Sequence, residues 1–303
     1  MPADLSVFHD FAPPPTGGGH QVVRALCAEL ERRGIDIEYN RLSRGTPVCF
    51  CNSYNFNGRK LGRLLRFRRG VRCVHRIDGP MQLYRGFDDG SDRVVSEFNR
   101  RFASTTVYQS EFSLKHHLDL GLSAVNPVRI PNTPDPGIFH PPPKRESNAG
   151  GKLRVISTSW SDNPNKGLEI YQWLDDHLDF SRVDYTFVGR IQTDFKHIRH
   201  VEPLPSGPLA DLLRRQGVYL TASRNDPSSN SVIEALACGL PVVYLDSGGH
   251  PELVGKAGLS YRDPEEVPDR LDRMREDLSG FRREIRVPAF SDVVDAYAIA
   301  LGL

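Results

Sequence analysis

The sequence predicts an α/β protein of two doubly wound domains, each a parallel sheet covered by helices. The chain has 303 residues, and domains commonly run to roughly 100–200 residues, so two are expected. Short apolar runs alternate with segments of helical periodicity along most of its length, the order that builds parallel sheets. A turn-rich stretch with six prolines, PNTPDPGIFHPPPKRESNAGG at 131–151, interrupts that alternation and marks the boundary, giving domains at 1–148 and 152–289.

In the first domain Leu5–Phe8 reads as a strand. TGGGHQVVRALCAELERRG then passes from a glycine-rich turn into a helix, with Val22, Val23, Leu26, Cys27 and Leu30 at helical spacing and Gly34 as its stop. Residues 47–51, 71–75 and 106–109 read as further strands, and 111–120 as a helix closed by Gly121. Beyond the boundary the reading is strand 153–157, helix 166–177, strand 185–188, helix 208–216, strand Val218–Thr221, helix 231–238 and strand 241–244. Residues 290–303 form a last helix.

Hydrophobic residues at 39% and charged residues at 25% describe an ordinary globular chain and exclude a disordered one. No apolar run reaches the roughly 18 residues that span a bilayer. MPADLSVFHDF carries no secretory leader pattern, so a cytoplasmic protein is expected. Cys27, Cys49, Cys51, Cys73 and Cys238 lack zinc-ligand spacing and read as buried thiols. Residues 1–150 hold 21 Lys/Arg against 15 Asp/Glu, while 151–303 hold 18 against 23. Much of the basic excess is Arg59, Lys60, Arg63, Arg66, Arg68, Arg69 and Arg72. That run reads either as a solvated helix and loop or as a surface for anionic lipid headgroups or an anionic acceptor. Its Leu61, Leu64, Leu65 and Phe67 either form a shallow apolar face or pack inward.

The most informative stretch is NDPSSNSVIEALACGLPVV at 225–243, where seven residues separate Asp226 from Glu234. Pro227, Ser228 and Ser229 make a turn and cap, so a helix starts near Asn230 and Ser231. Amides at such a start suit a diphosphate. Glu234, a turn further in, suits the vicinal hydroxyls of a ribose, and Asp226 suits hydroxyls elsewhere on the ligand.

This stretch resembles the family-4 retaining glycosyltransferases, whose signature is an acid, seven residues, then a glutamate heading E-A-x-A-C-G-x-P-V-V. The first acid is usually glutamate, here Asp226, and the usual F-G after it is here Pro227-Ser228-Ser229-Asn230. Thr16-Gly17-Gly18-Gly19 resembles the N-terminal glycine loop, which approaches the donor's phosphates and the acceptor. Asn132, Asp135, Phe139 and Pro141 resemble the N-x-x-D-x-x-x-F-x-P hinge, and Ser247–Glu252 the G-G-x-P-E loop. Lys166 resembles the phosphate-gripping lysine, but the arginine usual five residues earlier is Ser161, leaving Arg190 or Arg76 to compensate. His75, at the end of VRCVHRIDGP, resembles the histidine that contacts the donor sugar; His116, His117, His197 and His200 have no such context.

The resemblance implies a GT-B fold, two Rossmann-like domains with a cleft between them. The helix 290–303 would cross back to the acceptor-side first domain. It implies a retaining, nucleotide-sugar-dependent hexosyltransferase in bacterial cell-surface polysaccharide or glycolipid synthesis. His75, Lys166 and Asp226 would be its catalytic groups. Gly17, Gly18, Gly19, Lys166, Arg190, Asp226, Ser229, Asn230, Ser231 and Glu234 would bind the donor. The expected partners are a nucleoside-diphosphate-sugar and a carbohydrate or lipid-linked acceptor, with peripheral membrane contact through 59–72. No cofactor, metal or nucleic acid is expected. Two alternatives stand beside it: a sugar-nucleotide epimerase on the same fold, or a non-catalytic nucleotide-sugar-binding protein.

Overall fold

The computed structural model describes residues 2–12, 18–68, 70–144, 151–161, 163–192 and 194–303. They form two compact units, divided between Asn132 and Thr133 and again between Val287 and Pro288.

The first unit holds strands β1 (Leu5–Phe8), β2 (Ile37–Tyr39), β3 (Val48–Asn52), β4 (Arg72–Arg76), β5 (Thr105–Tyr108) and β6 (Pro127–Arg129). Its helices are α1 (Gly18–Arg32), α2 (Gly58–Phe67), α3 (Met81–Arg85), α4 (Ser91–Phe102) and α5 (Glu111–Asp119). The six strands are parallel in the order β2-β1-β3-β4-β5-β6. All of β1 and β3 is buried, as strands covered on both faces must be. Alternation along them divides the core. Val7, Phe50, Val74 and Val107 pack with Val23, Leu26 and Leu30 of α1. Phe8, Cys49, Cys51 and Cys73 pack with Leu61 of α2 on another face. All five cysteines are buried free thiols.

The second unit holds β7 (Leu153–Ser159), β8 (Val183–Gly189), β9 (Arg199–Val201), β10 (Val218–Thr221), β11 (Val242–Leu245) and β12 (Gly258–Tyr261). Between and after them lie α6 (Leu168–His177), α7 (Ser206–Arg214), α8 (Asn230–Ala237), α9 (His250–Val254), α10 (Val267–Glu276) and α11 (Leu278–Arg283). The sheet is parallel, ordered β12-β11-β10-β7-β8-β9. Neighbouring residues of one strand again serve opposite faces. Val155, Leu220 and Val243 meet α6 and α10, whereas Ile156, Tyr219 and Val242 meet α7 and α8.

The last helix, α12 (Phe290–Leu301), belongs to the first unit. Its Val293, Val294, Tyr297 and Leu301 complete the core over β1, β3 and β4. Arg72 Nη1 donates to the Leu301 carbonyl at 2.9 Å, and Arg33 pairs with Asp295.

Two glycines separate conformational cost from steric cost. Gly34 has φ +90° with nothing within 4 Å of a built Cβ, while Gly167 has φ +74° and a Cβ there would lie 2.4 Å from the Ala222 carbonyl oxygen. Gly34→Ala should therefore destabilise by about 1 kcal/mol and Gly167→Ala by at least twice that. Urea unfolding of the two variants checks this, and equal losses would contradict the packing at Gly167.

Candidate active site

Strand order decides where a ligand can enter. In the second unit the chain leaves β7 for β8 and β9 on one side, then returns to β10 on the other. The loops after β7 and β10 therefore diverge at the carboxyl ends of adjacent strands, where open α/β sheets bind ligands.

Lys166 comes from the loop after β7. Pro164–Lys166 make one 3-10 turn, capped by the Asn163 side chain, which accepts from the Asn165 N–H at 2.9 Å. Gly167 lets this loop press against the end of β10, and the Arg224 N–H donates to the Asn165 carbonyl at 2.6 Å, tying the two loops. The outcome is an ion pair, Lys166 Nζ to Asp226 Oδ2 at 2.8 Å, with the side chains 18% and 10% exposed.

Asp226 is clasped from its other side by the 247–249 loop. The Gly249 N–H donates to the Asp226 carbonyl at 2.9 Å, and Asn225, at φ +52°, donates its N–H to Ser247 Oγ at 3.0 Å. Gly248 sits at φ +66°, and a Cβ there would fall 2.5 Å from the Asp226 carbonyl oxygen. Burial opposes ionisation of Asp226, but the Lys166 ammonium and its hydrogen bond, with His250 and the Ser228 N–H, together outweigh it and hold the carboxyl below its ordinary value.

Helix α8 begins four residues after Asp226. Its N-cap Ser229 makes no side-chain capping bond, and Ser229 Oγ lies 3.1 Å from Ser231 Oγ. Val232, Ile233, Ala235 and Leu236 are buried and fix the helix against the sheet. Glu234 is half-buried. Among the described residues its carboxylate has no hydrogen bond or ion pair, and burial pushes its pKa up to about 8. Without a ligand the group therefore keeps its proton at neutral pH, and its ionised form calls for donors that the described residues do not supply.

Ser228, expected in the turn before α8, and His250, expected in the G-G-x-P-E loop, adjoin this cluster. Ser228 Oγ and His250 Nε2 are buried with no hydrogen-bond partner among the described residues. The His250 Nδ1–H donates to the Leu245 carbonyl at 3.2 Å, and burial lowers the pKa of the ring, so Nε2 is left as an acceptor. On the other side of Lys166 lies a cavity of about 280 Å³, lined among others by Ser159, Ser161, Tyr171, Phe187 and Arg190. The second unit thus brings together Lys166, Asp226, Ser229, Asn230, Ser231 and Glu234 around the end of α8, with Arg190 on the cavity beside Lys166.

The first-unit residues are placed differently. Gly17 lies outside the described residues, Gly18 is the first residue of α1, and Gly19 has open space around a built Cβ. His75, expected at the open end of β4, is enclosed with no exposed surface. Its Nε2–H donates to the Ser53 carbonyl at 2.9 Å and Nδ1 accepts from Asn99 Nδ2 at 3.3 Å. Phe56 and Phe98 stand edge-on to the ring, and burial lowers its pKa to about 4. Arg76 is buried as well, bound by Asp78, Asn52 and Asn132. Two further imidazoles, His9 after β1 and His20 on α1, are paired Nε2 to Nδ1 at 2.7 Å, His9 as fully buried as His75. Their only sequence signal was that they flank the glycine-rich turn.

Comparison with known proteins follows from this geometry. A family model described as "Glycosyl transferases group 1" matches residues 180–277, which contain β10, α8 and the 247–249 loop. No curated protein sequence matches the chain. Among solved structures it is similar to HepE from Anabaena in complex with UDP and glucose, at 18% identity and a TM-score of 0.73, over 98% of this chain and 99% of that one. It is also similar to sucrose-phosphate synthase from Thermosynechococcus elongatus, at 15% identity and 0.67, over 96% and 79%. A glycosyltransferase from Rickettsia africae shares 13% identity at 0.61, over 98% and 93%. The chain has the GT-B fold of these structures, two Rossmann-like domains, each with one parallel six-stranded sheet.

Proposed function

We propose that this chain is a nucleotide-sugar-dependent glycosyltransferase whose second unit binds the donor. The observation that carries the reading is the Lys166–Asp226 ion pair at the divergence of β7 and β10, beside the start of α8 and one turn from an unpartnered Glu234. An ammonium and a helix start suit the diphosphate; a half-buried carboxylate without donors suits the two hydroxyls of a ribose. The group 1 match over these elements supports the same chemistry. UDP is the first nucleotide to test, because the similar HepE structure contains it.

Transfer with retention fits the charge arrangement. Asp226 is held ionised by Lys166 and so orients the sugar rather than shuttling a proton. In the step we propose, the bond from the anomeric carbon to the diphosphate oxygen breaks. The acceptor oxygen bonds on the same face, and its proton passes to the departing phosphate, whose charge Lys166 stabilises. His75 is assigned a structural role, since both ring nitrogens are engaged inside the first unit.

The acceptor we propose is a lipid-linked sugar at an anionic cytoplasmic membrane face. Arg59, Lys60, Arg63 and Arg66 lie exposed on α2 with no acidic partner among the described residues. Several other exposed cations of the same unit have acids beside them: Arg32 with Glu29, Arg93 with Asp88, Arg100 with Glu97 and Lys115 with Asp119. Leu61, Leu64 and Leu65 pack inward, leaving Phe67, 83% exposed, as the apolar group among the charges.

Thermal shift against UDP, GDP and ADP, each free and as sugar conjugates, is the first test, since a true ligand stabilises by mass action. Glu234→Ala should weaken the nucleoside diphosphate by about 10- to 100-fold, the loss of a charge-assisted contact of ~1.5–3 kcal/mol. Undiminished affinity in the folded variant would remove Glu234 from the site.

The raised pKa of Glu234 has a sign that can be checked. Between its ordinary value of 4.5 and about 8 the folded chain keeps a proton that the unfolded chain has released, so stability falls as pH rises through that window. Glu234→Gln cannot ionise and escapes the loss. Its thermal midpoint relative to the parent should rise between about pH 5 and about pH 9. A difference that stays constant over that range would mean the carboxyl ionises as freely folded as unfolded.

Each basic residue close to an anionic surface contributes about 1 kcal/mol. The chain should therefore co-sediment with phosphatidylserine-containing vesicles at low salt, lose that binding at high salt, and ignore neutral vesicles. Reversing Arg59, Arg63 and Arg66 to glutamate should abolish it. No binding at low salt would make the acceptor a soluble one.

A further inference from the structure

Resting on the reading that a diphosphate sits at Lys166, we propose that Arg190 is its second cation, reaching the same ligand from the end of β8. The need is electrostatic. Lys166 is already neutralised by Asp226, so a diphosphate with its two or three negative charges meets little net charge from that pair alone. Ser161, on the same loop, brings none: its Oγ accepts from the Asn163 N–H at 3.1 Å, its carbonyl accepts from Ser159 Oγ at 3.0 Å, and it serves the turn.

Backbone packing delivers Arg190 to the place. Ser159 of β7 pairs in register with Gly189 of β8. Gly189 takes φ +147°, and a Cβ there would lie 1.8 Å from the Ser159 carbonyl oxygen, so only glycine lets the strand ends close this tightly. The next residue is locked by its own amide, Arg190 N–H to Ser159 carbonyl at 3.1 Å. Its side chain is exposed and lines the 280 Å³ cavity that Lys166 also lines.

Arg190 is uncommitted where its rivals are not. Among the described residues its guanidinium has no acid or hydrogen-bond partner, whereas Arg224 pairs with Glu169 and Arg76 is buried in its own network. A guanidinium offers a planar fork that takes two phosphate oxygens at once, which an ammonium cannot do. Lys166 and Arg190 then divide the work, the first as a point charge at the Asp226 side, the second as a bidentate grip from β8.

The test uses UDP and inorganic pyrophosphate as probes in titration calorimetry on the full chain. Arg190→Ala should weaken both by 10-fold or more, and Arg190→Lys should recover part of the loss. Glu234→Ala should weaken UDP and leave pyrophosphate unchanged, because pyrophosphate has no ribose. Ser161→Arg added to Arg190→Ala should restore binding, since it returns a guanidinium to the same cavity. A merely structural role for Arg190 would not be rescued from another loop. If Arg190→Ala binds both probes within twofold of the parent while Glu234→Ala loses UDP, the clamp is overturned and the nucleotide site stands. If neither variant changes UDP binding, or the parent binds neither probe, the underlying reading falls with it.

Discussion

The end of the second unit that carries Lys166 and Asp226 depends on backbone meeting backbone without side chains between. Around Asp226 three segments converge, the turn ending at Gly167, the start of α8 and the 247–249 loop, and at Gly167, Gly248 and Gly249 a Cβ would fall within 2.5 Å of a carbonyl oxygen. That closeness is what lets Lys166 reach Asp226 at 2.8 Å. Desolvating two charges costs several kcal/mol per ion before their attraction returns it. The pair therefore does little for stability. Its worth lies in a carboxylate held ionised and a cation held in place before any ligand arrives.

Parts of this were legible in the residues, and the reasons differ. Leu5–Phe8 and Val218–Thr221 are legible to the residue because they are short runs in which all but Ser6 are apolar or β-branched. β2, β6 and β9, three residues each, carry no periodicity to find. The seven residues between Asp226 and Glu234 were visible because both ends belong to one loop and its helix. The bond between Lys166 and Asp226 was not, since sixty positions separate them and only the adjacency of β7 and β10 joins them. His75 shows the opposite failure. Position at a strand's end suggested exposure, but β4 is an inner strand whose last four residues are buried, and aromatic rings from α4 and the loop after β3 close over the imidazole.

Charge follows a similar rule. Whether the leucines of α2 faced in or out was undecidable from spacing that served either reading; contact with Cys49, Cys51 and Cys73 turns them inward. What remains outside is a row of cations without acids, on a unit where Arg33, Arg100 and Arg101 each pair with a glutamate within one helical turn. Unpaired like charges on one helix repel one another. Among the described residues only two of them find contacts inside the fold, Lys60 with the Asn40 carbonyl and Arg66 over the Phe102 ring.

The chain leaves the first unit at Asn132 and rejoins it only at Pro288. Every strand of the second unit's sheet comes from one uninterrupted stretch, Thr133–Val287, whereas the first unit's core draws on residues from both sides of it. On a ribosome, residues 133–287 can close their sheet as soon as they emerge, while β1, β3 and β4 still lack Val294, Tyr297 and Leu301 against one face. Domains generally fold as they are made, N-terminal first. Here that order is reversed in completion, and the earlier half must wait, with a strip of apolar sheet uncovered, for residues translated after the second unit.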